Sequence, residues 1–305
     1  MLHAESRPLH ELAHLAPAIS PPSPLNDVLY PFSNDDSIRS FREALRRTDT
    51  EAYQQAKNRV AIVVGESALS TAIHWIPEET IVLLDDDEPM VGYMGGYVDA
   101  LRTAPSPREW GRQMGVIPPG ASKPRRDALL RQLDWWEQQG VPHALADSEV
   151  FAQSRALARE KAIIPWRGDV TSVEDMAHLG DTLRGLDAAV TLLNLSNVIA
   201  YGAYYADEGH ASFPSAAGYA DVLDHLPLTP DAPILTTSMY GIGNTKIASS
   251  TGPFYGLTDL RERGGDSKDG PVAVPANELG SLGFGDMPLV VIFIPRSQRP
   301  PQQPK

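Results

Sequence analysis

Short, unbroken runs of apolar residues recur along the chain and are separated by segments with helical spacing. The clearest runs are RVAIVV from Arg59, TIVLLD from Thr80, AAVTLLNLS from Ala188 and APILTTSM from Ala232. Unbroken runs, unlike alternating ones, are typical of strands covered on both faces, as in a parallel sheet. Strand, helix and strand within about 27 residues predict one βαβ unit after Arg59. The pattern as a whole predicts an α/β fold with a doubly wound, mostly parallel sheet.

The composition changes along the chain and divides it into three parts. Residues 1–57 contain a proline cluster and a helix start, and are predicted to form an N-terminal arm and helix. Residues 58–295 hold the strand runs. Within them, residues from about 88 to 161 are largely helical, which predicts an insertion or cap on the sheet. Residues 296–305, rich in proline and glutamine, are predicted to be a disordered tail.

Charge and composition exclude several classes of function. The net charge of −13 repels a phosphate backbone, so a nucleic-acid partner is not expected. The chain has no cysteine, which excludes thiolate catalysis and Cys-ligated zinc. Among the histidines only His10 and His14 have metal-ligand spacing, and without a nearby third ligand they are better explained by a solvated helix face, so no metal site is expected. No signal-like or membrane-spanning apolar run is found. We therefore expect a cytoplasmic protein with a small-molecule substrate and no membrane partner. The oligomeric state is not predictable from these patterns.

A glycine and a carboxylate stand at the ends of the first two predicted strands. Gly65 ends the first run and Asp85 ends the second, about 20 residues later, an offset that suits a carboxylate accepting both ribose hydroxyls of an adenosine. Asp86 follows directly, so either aspartate can fill this role. The alternative is an acidic turn that caps the helix beginning near Pro89.

The turn after the first strand distinguishes between adenosine ligands. A dinucleotide fold needs G-x-G-x-x-G, whereas this turn is GESALS, with Gly65 alone. Glu66 would also face the pyrophosphate at the helix N-terminus. A ligand with a sulfonium and an amino-acid tail meets no such objection. The sequence therefore favours S-adenosylmethionine over NAD as the cofactor.

The order and spacing of VVGES, IVLLDDDEPM, IPWRGDVTS, AAVTLLNLSNV and APILTTSM resemble the class I S-adenosylmethionine-dependent methyltransferases, over about residues 58–295. The resemblance implies a Rossmann-like S-adenosylmethionine-binding domain, of a divergent branch because only Gly65 of the usual G-x-G-x-G turn is kept. It also implies a role for each matching position: Gly65, Glu66 and Ser67 facing the methionine part, Asp85 or Asp86 holding the ribose, Asp169 touching the adenine amine, and Asn194 to Asn197 lining the reacting centre.

Two further segments carry polar and aromatic side chains suited to a substrate. NLSNVIAYGAYY follows the fourth strand, where an open α/β sheet presents its ligand, so we predict Ser196, Asn197 and Tyr201 to be catalytic. A helix N-cap with packing tyrosines is the alternative for this segment. YPFSNDD, with Tyr30, Ser33 and Asn34, is a candidate lid over the substrate, although a capped helix start is the simpler interpretation.

These observations predict a transferase that uses S-adenosylmethionine on a small molecule, most simply by methyl transfer. One alternative is attack at the aminocarboxypropyl arm, releasing methylthioadenosine. That attack is either intermolecular, as in nicotianamine-type enzymes, or intramolecular, closing the arm to azetidine-2-carboxylate. The missing glycines motivate this alternative, because they normally shape the pocket for the methionine tail. A second alternative is a non-catalytic binding protein that keeps the fold.

Overall fold

The computed structural model of the chain describes residues 7–17, 50–65, 73, 76–114, 143–195, 198, 216–235, 239–240, 246–248, 254–264 and 272–274. The described helices are α1 (Arg7–Leu15), α2 (Glu51–Gln55), α3 (Glu88–Thr103), α4 (Pro107–Gln113), α5 (Ser148–Glu160), α6 (Val173–Gly185), α7 (Ala216–Leu223) and α8 (Gly256–Gly264). The described strands are β1 (Arg59–Val64), β2 (Thr80–Asp85), β3 (Ala162–Arg167), β4 (Ala189–Asn194), β5 (Pro233–Leu235), β6 (Met239–Tyr240), β7 (Lys246–Ala248), β8 (Phe254–Tyr255) and β9 (Val272–Val274).

The main sheet has the strand order β3-β2-β1-β4-β5-β8. The first five strands in that order run parallel, and β8 pairs antiparallel with β5. Strands β1 to β3 extend the sheet in one direction and β4 and β5 extend it in the other, so the order reverses between β1 and β4. This arrangement is a doubly wound, mostly parallel α/β sheet of the Rossmann-like type, which confirms the predicted fold class.

Helices cover both faces of the sheet, and the side chains of β1 alternate between the two cores. Ala61 and Val63 belong to the core formed with α3, α4 and α5, whereas Val60 and Ile62 belong to the core formed with α1, α6, α7 and α8. All four side chains are fully buried. Burial on both faces explains why the strand is an unbroken apolar run in the sequence.

The insertion between β2 and β3 contributes three of these covering helices. Ser106 caps α4, and Asp147 caps α5 by accepting hydrogen bonds from the amides of Glu149 and Val150 at 2.7 and 3.2 Å. The described part of the insertion therefore covers one face of the sheet. Its residues 115–142 lie outside the described part of the chain.

Several predicted segments also lie outside that part. They are most of the arm, at residues 18–49, and the tail at 296–305, so the predicted domain boundaries remain predictions. Among the helices that the structure describes, none has the length and apolar character needed to cross a membrane.

Candidate functional site

Four predicted site residues come from four neighbouring strands. Gly65 follows β1, Asp85 ends β2, Asp169 lies two residues after β3, and Asn194 ends β4. Because these strands are parallel, their carboxyl ends meet at one edge of the sheet, next to the point where the strand order reverses. We call this the carboxyl edge. Asp86 follows directly after β2 and is also described. The other predicted site residues lie outside the described part of the chain: Glu66, Ser67, Ser196, Asn197, Tyr201, Tyr30, Ser33 and Asn34.

Gly65 has a backbone conformation that favours glycine. Its φ is +77°, and its amide donates a hydrogen bond to the carbonyl of Leu84 at 3.1 Å, which extends the contact between β1 and β2 by one residue. A Cβ added to Gly65 would meet no atom within 4 Å among the described residues. Among the described residues, nothing therefore fills the space that a side chain on Gly65 would occupy.

The carboxylate of Asp85 takes part in the turn that begins α3. Its Oδ1 accepts the amide of Asp87 at 3.0 Å, and its carbonyl accepts the amide of Gly168 at 2.9 Å, which ties the ends of β2 and β3 together. Asp87 is the N-cap residue of α3 but makes no capping hydrogen bond through its side chain. One oxygen of Asp85 therefore stabilises the acidic turn, as the alternative interpretation expects.

Asp86 adds a second carboxylate that faces the β3 end of the edge. Partial desolvation, and then the nearby carboxylate of Asp169, raise the pKa of Asp86, although part of its surface is exposed. Desolvation and the neighbouring Asp86 also raise the pKa of Asp87. Arg167 is a nearby cation, and its Nη1 lies 3.1 Å from Glu88 Oε2. Negative charge thus accumulates at this end of the carboxyl edge.

Asp169 is held by residues that the sequence analysis did not select. Thr171 donates both its amide and its hydroxyl to Oδ1 of Asp169, each at 2.7 Å. Asp175 accepts the amide of Asp169 at 2.8 Å, while its own amide donates to Ser172 Oγ at 3.2 Å. The spacing of Ser172 and Asp175 is that of a capping box, which is the local signal that could have identified them.

Tyr219 is another residue that the sequence analysis missed. It lies on α7, is fully buried, and its hydroxyl is 3.5 Å from the carbonyl of Val198, just beyond β4. Burial and then the carboxylate of Asp169 raise the pKa of Tyr219, so the phenol stays protonated. Asn194, at the end of β4, is 5% exposed. No local pattern identifies Tyr219, because its neighbours come from distant parts of the chain.

Comparisons with known proteins give fold likeness only. No protein-family model and no curated protein matches the sequence. Two solved structures of the rRNA methyltransferase aviRa from Streptomyces viridochromogenes, at 2.4 and 1.5 Å, are 15% and 16% identical to this chain, with TM-scores of 0.38 and 0.39. Each likeness covers 74% of this chain and 85% of the other. The Rossmann-like fold class stated above rests on the strand order and the parallel pairing of the sheet.

The prediction that excludes a nucleic-acid partner is contradicted by this comparison, because both structures are of an rRNA methyltransferase. The physical weakness of that prediction is its use of a net charge of −13, which is a sum over the whole chain. Salt screens exposed charges beyond about 8–10 Å, so a short basic stretch can contact phosphate whatever the total charge is.

Proposed function

We propose that the protein is an S-adenosylmethionine-dependent transferase whose main reaction is methyl transfer. The observation that carries this proposal is the carboxyl edge, where hydrogen-bond acceptors at the ends of β2 and β3 stand beside the glycine turn of β1. An adenosine presents donors, namely its ribose hydroxyls and its exocyclic amine, so the chemistry of the edge fits it.

In this proposal each end of a strand has a separate role. Asp85 or Asp86 accepts the ribose hydroxyls, and Asp169 accepts the adenine amine. Gly65 lets the methionine part approach the backbone, together with Glu66 and Ser67. The segment after β4 orients the acceptor through Asn194, Ser196, Asn197 and Tyr201, and Tyr30, Ser33 and Asn34 close over it.

The charge of the edge supports this ligand over a dinucleotide. Desolvation and then a neighbouring carboxylate raise the pKa of Asp86 and that of Asp87, and such a cluster of carboxylates would repel a pyrophosphate and attract a sulfonium. The cofactor supplies an electrophilic carbon with its leaving group. The chain's own contribution is to bind, to orient the nucleophile in line with that carbon and to exclude water.

A second candidate reaction is attack at the aminocarboxypropyl arm, in the intermolecular or the intramolecular form. The observation that favours it is the turn GESALS, which keeps Gly65 but lacks the other glycines of the methyltransferase turn. A different turn implies a different pocket for the methionine tail. The two reactions leave different nucleosides, S-adenosylhomocysteine after methyl transfer and methylthioadenosine after attack at the arm.

The test combines calorimetry with product analysis. The unaltered protein is expected to bind S-adenosylmethionine and to be stabilised by it against heat, since a ligand of the native state raises stability by mass action. Loss of two charge-assisted hydrogen bonds, each about 1.5–3 kcal/mol, predicts at least about a hundredfold weaker binding in Asp85→Ala or Asp86→Ala. Asp85→Asn separates charge from turn structure, because an amide oxygen can still accept the amide of Asp87.

Asp181→Ala is the matched control, since its carboxylate is 79% exposed and pairs only with Arg184 among the described residues. Unchanged affinity in both Asp85→Ala and Asp86→Ala would refute the ribose assignment. Product analysis by chromatography then identifies the nucleoside released, with no acceptor, with small-molecule acceptors and with ribosomal RNA. Release of neither nucleoside in any arm would favour a binding protein without turnover.

A further inference from the structure

The loop between β3 and α6, residues 168–172, is held by hydrogen bonds to both backbone and side-chain groups of Asp169. Both hydrogen bonds from Thr171 reach the same oxygen of Asp169, Oδ1, at 2.7 Å. The amide of Asp169 is bound by Asp175 at 2.8 Å, and its carbonyl accepts the amide of Ser172 at 2.9 Å. The backbone and one carboxylate oxygen of Asp169 are therefore fixed at the same time.

Packing fixes the base of the loop as well. The amide of Gly168 is bonded to the carbonyl of Asp85 at 2.9 Å, and a Cβ on Gly168 would lie 3.3 Å from Leu84 Cδ1. Trp166, one residue before the end of β3, is 1% exposed and lies against His178 of α6, with 5.9 Å between ring centroids. The loop cannot move toward β2 without displacing buried side chains.

These bonds distinguish the two oxygens of Asp169. Oδ1 is occupied by Thr171, while Oδ2 accepts no hydrogen bond from the described residues. A carboxylate held by one oxygen cannot rotate freely about its last torsion, so Oδ2 has one orientation at the edge. A fixed acceptor discriminates between purines at position 6, where adenine carries an amine donor and hypoxanthine a carbonyl acceptor.

We propose that Thr171 is a positioning residue for base recognition, and that its hydroxyl sets the preference of the site for a purine with a 6-amino group. This inference rests on the proposed function, in which Asp169 meets the base. Thr171 does not touch the ligand. It acts through Asp169, and its contribution is the difference between an oriented and a rotating carboxylate.

The experiment measures the dissociation constants of two ligands by calorimetry. One is S-adenosylhomocysteine, and the other is its analogue in which hypoxanthine replaces adenine. The unaltered protein is expected to bind the adenine ligand at least about tenfold more tightly, because the 6-carbonyl of the analogue is an acceptor and would face the carboxylate of Asp169, which is also an acceptor. Thr171→Val keeps the shape and the amide but removes the hydroxyl, and is expected to lower this preference by about tenfold. Thr171→Ser is expected to restore it.

Thr182→Val is the matched control, because that hydroxyl donates to the carbonyl of His178 within α6, at 2.8 Å. It is expected to keep the preference of the unaltered protein. If Thr171→Val does not fold, Thr171→Ala removes the same hydroxyl and the same ratio decides. If Thr171→Val weakens the binding of both ligands equally, or leaves the ratio of their dissociation constants unchanged, this inference is overturned while the proposed function stands. An unaltered protein that binds neither ligand overturns the proposed function, and this inference with it.

Discussion

Replacing Gly180 by alanine is expected to destabilise the protein, because α6 passes directly against the backbone after α7 at this residue. A Cβ on Gly180 would overlap the carbonyl oxygen of His225 and would lie 3.0 Å from its carbonyl carbon. The same carbonyl accepts a hydrogen bond from Arg184 Nη2 at 2.6 Å. Since the obstacle is backbone rather than the end of a flexible side chain, α6 and the residue-225 segment must move apart.

Two effects of opposite sign determine the magnitude. Alanine is more favourable than glycine inside a helix by about 0.8–1.0 kcal/mol. Against this, forcing an extra methyl into a filled space costs about 1–3 kcal/mol, and loosening the charged hydrogen bond from Arg184 costs about 1.5–3 kcal/mol more. The unfavourable contributions are larger, so we expect a net loss of about 1.5–5 kcal/mol in the free energy of unfolding.

The same substitution at Gly96 provides the control. Gly96 lies inside α3, and a Cβ there would meet no atom within 4 Å among the described residues. Gly96→Ala should therefore gain only the helix preference, up to about 1 kcal/mol. Urea titrations followed by circular dichroism compare the midpoints of the two variants at equal slopes. A Gly180→Ala midpoint at or above that of the unaltered protein would refute the close approach of α6 to His225.

Two other substitutions test the opposite ends of the sheet. Glu78 is fully buried, and its carboxyl group accepts a hydrogen bond from the hydroxyl of Thr191 at 2.8 Å. Burial raises the pKa of Glu78. The contribution of Glu78 to the stability of the fold is therefore complete below the ordinary glutamate pKa of about 4.3 and is lost as pH rises through the raised pKa. Relative to Glu78→Gln, the unaltered protein should lose stability to urea as pH rises above that ordinary value, and parallel curves would contradict this. At the carboxyl edge, Gly65→Val places a branched side chain on a residue whose φ is +77°, which strains the backbone by about 1–2 kcal/mol. The new side chain would occupy space that no described residue fills. The affinity of this variant for S-adenosylmethionine in calorimetry should fall at least tenfold while its circular dichroism spectrum is kept, and normal binding would exclude this turn from the site.

The strands could be predicted because local patterns mark them. The run RVAIVV coincides with β1 residue by residue and is followed by Gly65. The run TIVLLD coincides in the same way with β2, and Asp85 is its last residue. A parallel sheet needs such runs, and it also sends all carboxyl ends to one edge. Because their strands run in the same direction, Asp85, Asp169 and Asn194 are expected at the same edge of the sheet. This expectation needs no knowledge of any side-chain contact.

The long-range contacts within the fold could not be predicted in the same way. Tyr219 and Val198 are 21 residues apart, and Glu78 and Thr191 are 113 residues apart, so only the tertiary packing of α7 and β4 brings them together. Thr191 stands where the pairing of β1 with β4 shifts register, between Val60 and Ala61. A register shift leaves no mark on an unbroken apolar run, because every side chain in it is buried whichever face it points to.

The net charge of the chain and the local charges at the carboxyl edge carry different information about a binding site. A net charge of −13 says little about any one surface, because exposed charges more than about 10 Å apart hardly influence each other in salt. At the carboxyl edge the carboxylates of Asp86 and Asp169 are close enough to shift a pKa, so their field acts directly on whatever binds there. A ligand that brings hydrogen-bond donors and a positive charge relieves this repulsion, and one that brings a pyrophosphate adds to it. Under the proposed function, the charges on these two neighbouring loops would thus constrain the identity of the ligand, while the choice of acceptor would depend on surfaces elsewhere that the total charge does not describe.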